Sequence, residues 1–249
     1  MGGFTLQIEK LGEISIYISN EHGFGTDAFL LANFACAKRG DKVCDLGTGC
    51  GIIPLLMCKW NPPKKIVAID IQERAIRQLE LSVKANSLGG IIRPIHADLR
   101  ALPLPLGSEE LNSGRFELIT CNPPYKRAGS GITNKNSAHS IARHEIMCNI
   151  DDVCSAANKL LKFGGRLCIC QRPERLADVI TAMKSNGIEP KKIRFVSKNP
   201  HTEPWLFLIE GRKGGSPFMR TMPQLYIREG DGFTEELQAI YGSKVSEEF

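Results

Sequence analysis

From Lys42 onward the chain repeats a single unit, in which a short apolar strand is followed by a turn and an amphipathic helix. The pattern predicts strands at residues 43–46, 66–70, 91–96, 116–121 and 166–171, and helices at 52–59, 72–87, 150–162 and 174–186. Two further apolar segments, 193–197 and 205–210, are expected to close the sheet as an antiparallel pair. Such alternation is typical of a mostly parallel sheet covered by helices on both faces. We therefore predict a doubly wound α/β domain with a seven-stranded, Rossmann-like sheet.

A shorter leader precedes this repeating unit. Residues 4–9 and 14–19 alternate apolar and polar side chains around the turn KLGE, which predicts an antiparallel hairpin. Thr26 or Asp27 is then expected to cap a helix that runs to about Ala37. We predict that residues 1–40 form a hairpin and helix packed on a main domain of residues 41–249.

Composition excludes several classes of protein. The nine cysteines contain no C-x-x-C pair and the five histidines lie apart from them, so no zinc site, and no metal, is expected. No stretch approaches the run of about 20 apolar residues that crosses a bilayer. An odd cysteine count in largely apolar stretches fits a reducing compartment. We expect a soluble cytoplasmic protein, and its net charge of +5 is compatible with a polyanionic partner.

The strongest ligand signal is the segment VCDLGTGCG at residues 43–51. It runs from a strand through Gly47, Gly49 and Gly51 into a helix, so the backbone can turn tightly and a ligand can approach it. The next strand ends in Asp70, which we expect at an exposed position where an acid can accept hydrogen bonds from both hydroxyls of a ribose.

The spacing and charge of this segment select the ligand. G-x-G-x-G lacks the extra residue of the dinucleotide-binding G-x-G-x-x-G, and Asp45 places a negative charge where a pyrophosphate would lie. That charge suits the cationic amino-sulfonium end of S-adenosylmethionine. Asp98, after the following strand, is placed to recognise an adenine amino group. Each acid alone is more often a solvated turn residue or a helix cap, but together they resemble the class I methyltransferase family over residues 41–210.

A second motif, NPPY at residues 122–125, follows a central strand at the edge where open α/β sheets bind ligands. A conjugated amino nitrogen is a poor nucleophile until it pyramidalises. The side-chain oxygen of Asn122 and the carbonyl of Pro123 can accept its two hydrogens and stabilise the charge that develops. Pro123 and Pro124 stiffen the loop, and Tyr125 can stack on a flat substrate. An exposed turn is the ordinary alternative for such a sequence.

The leader indicates which amino group is methylated. Residues 22–32, HGFGTDAFLLA, resemble the leader of the bacterial tRNA adenine-N6 methyltransferases that modify a valine tRNA beside the anticodon. That resemblance implies that Thr26 and Asp27 line the methionine end of the cofactor. It also implies methyl transfer to the N6 amino group of an unpaired adenine in RNA, with tRNA the first choice.

Two other substrates share this chemistry. Protein glutamine N5-methyltransferases usually carry a separate helical recognition domain, whereas only about 40 residues precede the cofactor strand here. A DNA adenine-N6 methyltransferase also remains open, although no extra target-recognition domain is visible.

Cations are grouped around the reaction loop and late in the chain, and this grouping suggests a groove for a polyanion. The loop, residues 126–143, is rich in Gly, Ser and Asn and is expected to order when RNA binds. The two groups are Lys126, Arg127, Lys135 and Arg143 around the loop, and Lys191, Lys192, Arg194, Lys198, Arg212, Lys213, Arg220 and Arg228 near the C-terminus.

Overall fold

A computed structural model describes residues 6–20, 22–103, 111–123 and 149–242 of the chain. A leader comprises strands β1 (Gln7–Leu11) and β2 (Ile14–Ile18) and helix α1 (Thr26–Ala35). The repeating unit then gives β3 (Lys42–Leu46), α2 (Ile52–Trp60), β4 (Lys65–Asp70), α3 (Glu73–Ala85), β5 (Ile92–His96) and β6 (Phe116–Cys121). It continues with α4 (Ile150–Leu160), β7 (Leu161–Gln171), α5 (Leu176–Ser185), β8 (Ile188–Ser197) and β9 (Pro204–Lys213).

The C-terminal part adds small elements that the sequence pattern did not predict. These are β10 (Arg220–Thr221), β11 (Leu225–Tyr226), β12 (Arg228–Glu229), β13 (Gly232–Phe233) and helix α6 (Glu235–Tyr241). Strands of two residues are too short to show alternating apolar and polar residues, so the amino-acid sequence does not predict them.

The central sheet confirms the predicted mostly parallel, doubly wound architecture. Its seven long strands follow the order β8-β9-β7-β6-β3-β4-β5, and the short strands β10 and β11 both pair with β8. All neighbours from β7 to β5 are parallel, whereas β9 runs antiparallel to both β7 and β8. The chain builds β3, β4 and β5 towards one edge and then returns to place β6 on the other side of β3. Ligands in such sheets bind where the strand order reverses in this way, outside the carboxyl ends of the strands.

Helices cover both faces of the sheet because alternate strand residues point to opposite sides. On β3, Val43 joins one hydrophobic cluster, while Cys44 and Leu46 join the other. The first cluster also contains Leu30 and Leu31 of α1, each at most 1% exposed. The leader therefore shares a hydrophobic core with the sheet.

Helix α1 corrects one prediction about the leader. Gly25, not Thr26 or Asp27, occupies the N-cap position, and no side chain of the described residues caps this helix. Thr26 instead accepts a hydrogen bond of 2.9 Å from the hydroxyl of Tyr241 at the end of α6. The helix ends at Ala35 because Cys36 takes a left-handed conformation with φ of 46°.

None of the helices in the described ranges is long and apolar enough to span a membrane. Within the same ranges, no group of three or more His, Cys, Asp or Glu side chains is arranged to hold a metal ion.

Candidate active site

A cavity of about 420 Å³ opens at the carboxyl ends of β3, β4, β5 and β6, beside the point where the strand order reverses. Its volume lies within the range of about 300 to 1,000 Å³ that is usual for small-molecule sites. The lining combines the turn after β3 with the ends of the neighbouring strands, and includes His22, Gly23, Gly47, Gly49, Asp70, Gln72, Asp98, Cys121, Asn122 and Pro123.

The glycine turn after β3 requires glycine for two different reasons. Gly49 has a φ of +54° and would have no neighbour within 4 Å of an added Cβ, so its backbone faces open space. Gly51 has a φ of +81°, and an added Cβ would lie only 2.2 Å from Cδ1 of Leu79 on α3. A side chain at Gly51 would displace the buried side chain of Leu79 and strain the turn, whereas a side chain at Gly49 would strain the turn and enter the open space of the cavity.

Asp70 ties this turn to the neighbouring strand. One carboxylate oxygen accepts a hydrogen bond from the backbone N–H of Gly49, and the other accepts one from that of Gln72, both at 2.9 Å. The residue is only 7% exposed, so the expectation of an exposed strand end is wrong. A carboxylate offers about four lone-pair positions, and two of them therefore remain for a ligand in the cavity.

Asp98 is already paired with a cation of its own segment. The guanidinium of Arg100 donates from Nε and Nη2, at 2.6 to 3.0 Å, and the backbone N–H of Arg100 donates as well. The hydrogen bonds from Arg100 lower the pKa of the Asp98 carboxyl. An adenine amino group approaching Asp98 would have to share this carboxylate with Arg100.

Asp45 lies beneath the glycine turn, outside the cavity lining given by the described residues, and is 1% exposed. Its Oδ1 accepts a hydrogen bond of 2.6 Å from the hydroxyl of Thr120. Its Oδ2 and the Thr48 hydroxyl are buried without a well-formed hydrogen bond in the described part of the chain. Burial raises the pKa of the Asp45 carboxyl from 3.8 to about 6, although the Thr120 and Thr48 hydroxyls act in the opposite direction.

This buried acid gives a prediction about stability and pH. Between pH 3.8 and about 6 the unfolded chain has released the Asp45 proton while the folded chain keeps it, so folding becomes less favourable as pH rises through this window. The difference corresponds to about 3 kcal/mol above pH 6. Because asparagine cannot ionise, Asp45→Asn should gain stability relative to wild type by up to about 3 kcal/mol between pH 4 and pH 7.

Urea unfolding at several pH values measures this difference directly. Asp231→Asn, at an exposed position, serves as the control and should give a nearly constant difference from wild type. If the curves for Asp45→Asn and wild type run parallel from pH 4 to pH 7, Asp45 does not titrate as described.

Asn122 follows β6 and lies at the cavity with its side-chain amide held at both ends. Its Nδ2 donates to Oδ2 of Asp27 on α1 at 3.1 Å, and its Oδ1 accepts from the thiol of Cys170 on β7, also at 3.1 Å. Three elements that are distant in sequence therefore converge on this one amide.

The structure thus brings six of the predicted site residues to one cavity: Gly47, Gly49, Asp70, Asp98, Asn122 and Pro123. Asp45 and Gly51 lie behind this lining, and Thr26 and Asp27 contact Tyr241 and Asn122 instead. Pro124, Tyr125 and the loop 126–143 lie outside the described residues. Sequence reasoning missed His22, Gly23 and Gln72 as lining residues. His22 and Gly23 lie within the leader segment that resembles the tRNA adenine-N6 methyltransferases, and Gln72 follows Asp70 by two residues. Their positions relative to these motifs could have identified them as lining residues.

Three of the late cations are bound within the protein. The ammonium of Lys191 donates to the carbonyls of residues 216–218 at 2.8 to 3.0 Å, and that of Lys192 lies 3.2 Å from Glu210. The guanidinium of Arg194 makes two hydrogen bonds of 2.7 Å with Glu236. β8 runs parallel to β7, and Lys192 lies level with Glu210 of β9, Cys168 of β7 and Thr120 of β6. Lys192 is therefore three strands away from Asn122 and about 7 Å short of it along the strand direction.

Two other cations lie at the carboxyl edge, next to the cavity side of the sheet. Arg172 directly follows β7, where its guanidinium lies 5.3 Å from the ring centroid of Trp205 and donates to the Trp205 carbonyl at 3.0 Å. Lys198 directly follows β8 and is exposed.

A switch-point cavity with a glycine turn, strand-end acids and an asparagine after the central strand defines a nucleoside-binding α/β enzyme. The chain belongs to the methyltransferase small domain family, whose model matches residues 12–184. It is also 25% identical over 209 residues to a protein of Tolumonas auensis named tRNA1(Val) (adenine(37)-N6)-methyltransferase, covering 83% of this chain and 82% of that one. The predicted family resemblance is thereby confirmed.

Solved structures support the same fold. A predicted O-methyltransferase from Agrobacterium tumefaciens superimposes with a TM-score of 0.69 at 20% identity, covering 86% of this chain and 95% of that chain. Geranyl diphosphate C-methyltransferase from Streptomyces coelicolor, solved with S-adenosyl-L-homocysteine, gives a TM-score of 0.54 at 12% identity, covering 75% and 76%. The Rossmann-like methyltransferase fold predicted from the strand and helix pattern is therefore confirmed.

Proposed function

We propose that this protein transfers a methyl group from S-adenosylmethionine to the N6 amino group of an unpaired adenine in tRNA. The observation that carries the proposal is the position of Asn122, whose amide lies in the same cavity as the glycine turn and Asp70. The family membership, and the name of the relative from Tolumonas auensis, point to the same reaction.

The described residues fit the proposed cofactor. Gly47 and Gly49 leave open space above the turn, and Asp70 keeps two lone-pair positions for ribose hydroxyls. The carboxylate of Asp45 lies beneath the turn, and its Oδ2 has no well-formed hydrogen bond in the described part of the chain. Its negative charge favours binding of the cationic amino-sulfonium end of the cofactor. When bound, S-adenosylmethionine supplies an electrophilic methyl group on sulfur.

Asn122 and Pro123 carry the proposed chemistry of the chain itself. An amide oxygen carries two lone pairs, so Asn122 Oδ1 can accept a hydrogen of the substrate amino group as well as the Cys170 thiol. The carbonyl of Pro123 accepts the second hydrogen, so the nitrogen becomes pyramidal and its lone pair faces the methyl group. The Asn122 amide is held by Asp27 and Cys170 before reaction. Both oxygens can stabilise the positive charge that develops on nitrogen as the nitrogen–methyl bond forms and the sulfur–methyl bond breaks, and the methylated nitrogen then loses a proton to water.

Labelled methyl transfer tests the proposal. Undermodified total tRNA and a tRNA-free total protein fraction are each incubated with the enzyme and with S-adenosylmethionine labelled in its methyl group. We expect label in tRNA and N6-methyladenosine as the labelled nucleoside after digestion. Label found only in protein, as N5-methylglutamine, would instead establish the glutamine reaction, and transfer to duplex DNA alone would establish the DNA reaction.

The carboxyl edge gives a further prediction about tRNA binding. Exchanging both Arg172 and Lys198 for glutamine should raise the KM for tRNA by about tenfold, because two cations at the carboxyl edge no longer neutralise phosphates. The slope of log affinity against log salt concentration should become shallower by about 1.5, at 0.7 to 0.9 for each lost contact. Steady-state kinetics at several salt concentrations measures both quantities.

Lys191 and Lys192 provide the matched control because they also carry two positive charges and lie on β8, the strand that Lys198 follows. Exchanging both for glutamine should leave the KM for tRNA and the salt slope near wild type, since both ammonium groups are already bound within the protein, to the carbonyls of residues 216–218 and to Glu210. A larger effect from Lys191 and Lys192 than from Arg172 and Lys198 would place the RNA along β8 and not at the carboxyl ends of the strands.

A further inference from the structure

The amide of Asn122 can serve as an acceptor only in one of its two orientations. The amide oxygen must face the substrate amino group, because the amide NH₂ group would place its own two hydrogens against the hydrogens of the substrate. The terminal torsion of asparagine is broad and roughly two-fold, and oxygen and NH₂ have nearly the same size. Packing alone therefore does not select the productive orientation.

Asp27 distinguishes the two ends of this amide. A carboxylate accepts hydrogen bonds and donates none when ionised, so only the NH₂ group of Asn122 can lie 3.1 Å from Oδ2 of Asp27. The Cys170 thiol makes the same distinction from the opposite side, since its S–H donates to Oδ1. Both contacts favour one and the same orientation of the amide.

We propose that Asp27 is a positioning residue for methyl transfer, which holds the Asn122 oxygen towards the substrate nitrogen. This inference rests on the proposed function of Asn122 as the acceptor of an amino hydrogen. The inference gives Asp27 a role other than lining the methionine end of the cofactor. It also gives a reason for an acid in the first turn of α1.

The leader is built to keep Asp27 in place. The residues that follow it on α1, Ala28, Phe29 and Leu30, are each at most 4% exposed, so the helix cannot rotate without losing its core contacts. Tyr241 donates to Thr26 next to Asp27 and packs edge-on against Phe29, with ring centroids 4.7 Å apart. The carboxylate that orients the amide is thus fixed by the helix beneath it.

A double-mutant cycle tests the proposal, with single-turnover methyl transfer to undermodified total tRNA as the readout. Asp27→Leu should slow transfer by about 10- to 100-fold, while the dissociation constant of S-adenosyl-L-homocysteine changes by less than about threefold. In an Asn122→Ala background, Asp27→Leu should cause almost no further loss, because no amide remains to be oriented.

Asp27→Asn supplies the conservative rescue. Its side-chain oxygen can still accept from Nδ2 of Asn122, and we expect transfer within about fivefold of wild type. A role in helix charge alone would make Asp27→Asn as slow as Asp27→Leu. Asn33→Ala is the control, since Asn33 is exposed on the same helix, away from Asn122 in sequence and contact, and the variant should leave transfer near wild type.

The possible outcomes separate this inference from the proposed function. If Asn122→Ala transfers methyl groups as fast as wild type, the proposed role of Asn122 fails and the inference with it. If Asn122→Ala is slow but Asp27→Leu is not, only the inference fails. It also fails if Asp27→Leu slows transfer equally in both backgrounds, or if the loss follows weaker binding of S-adenosyl-L-homocysteine. Should Asp27→Leu not fold, Asp27→Ala replaces it in the same cycle, with the same outcomes.

Discussion

Replacing Asn122 with alanine should slow single-turnover methyl transfer by on the order of 10² to 10³ while cofactor binding stays within a few-fold of wild type. The reason is that the Asn122 oxygen meets a nitrogen that carries positive charge only as the methyl group arrives. An interaction made in the transition state and not in the ground state lowers the rate constant without changing ground-state affinity when it is removed.

The measurement uses enzyme in excess over tRNA, so that product release does not limit the rate. Cys170→Ala is the control for disturbance of the surrounding core, because it removes the thiol that contacts Asn122 Oδ1 and leaves the amide in place. We expect that variant to transfer within about tenfold of wild type, since thiols are weak donors. Transfer by Asn122→Ala at nearly the wild-type rate would reduce Asn122 to a turn residue.

The long elements of the fold could be predicted because their patterns are periodic over many residues. The predicted strand at 116–121 coincides with β6, and the predicted helix at 52–59 is one residue shorter than α2. β8 is one exception, since it begins at Ile188, before its predicted start at residue 193. β7 is another, since it begins at Leu161, where the sequence pattern continues the preceding helix. Its first residues pair with Phe116 of β6, and such tertiary pairing overrides local helix preference.

The site was predicted in its residue types more accurately than in their contacts. Asp70 and Asp98 lie at the cavity, yet one is buried on two backbone N–H groups and the other is held by Arg100. A sequence shows that an acid ends a strand, but it does not show which partners the neighbouring turn offers. The contact between Asp27 and Asn122 joins positions 95 residues apart, and no local pattern reports such a pair.

The cations illustrate the same limit. Lys191, Lys192 and Arg194 lie close together in sequence near the C-terminus, which suggested a groove. Successive residues of a strand point to opposite faces of its sheet, and a strand of ten residues spans about 33 Å from one edge to the other. Lys191, Lys192 and Arg194 are bound by other groups of the protein, and residues 124–148 around the reaction loop lie outside the described part of the chain, so the groove stays a prediction.

Asp70→Ala should weaken binding of S-adenosyl-L-homocysteine by roughly 10- to 150-fold, the equivalent of about 1.5 to 3 kcal/mol for hydrogen bonds to a charged group. The variant should also be less stable by a similar amount, because the N–H groups of Gly49 and Gln72 lose their acceptor. Calorimetric titration gives the affinity, and urea unfolding gives the stability.

A loosened turn and a lost ribose contact would both weaken binding, and the 2′-deoxy analogue of S-adenosyl-L-homocysteine separates them. Wild type should bind this analogue at least about tenfold more weakly than the parent compound, because one charge-assisted hydrogen bond is missing. Asp70→Ala should bind the two ligands almost equally, since the acceptor that distinguishes them is gone. If Asp70→Ala discriminates against the analogue as strongly as wild type does, the carboxylate acts on the glycine turn alone. The ribose must then be recognised by another residue of the cavity, with the backbone and side chain of Gln72 the nearest alternatives on the same strand end.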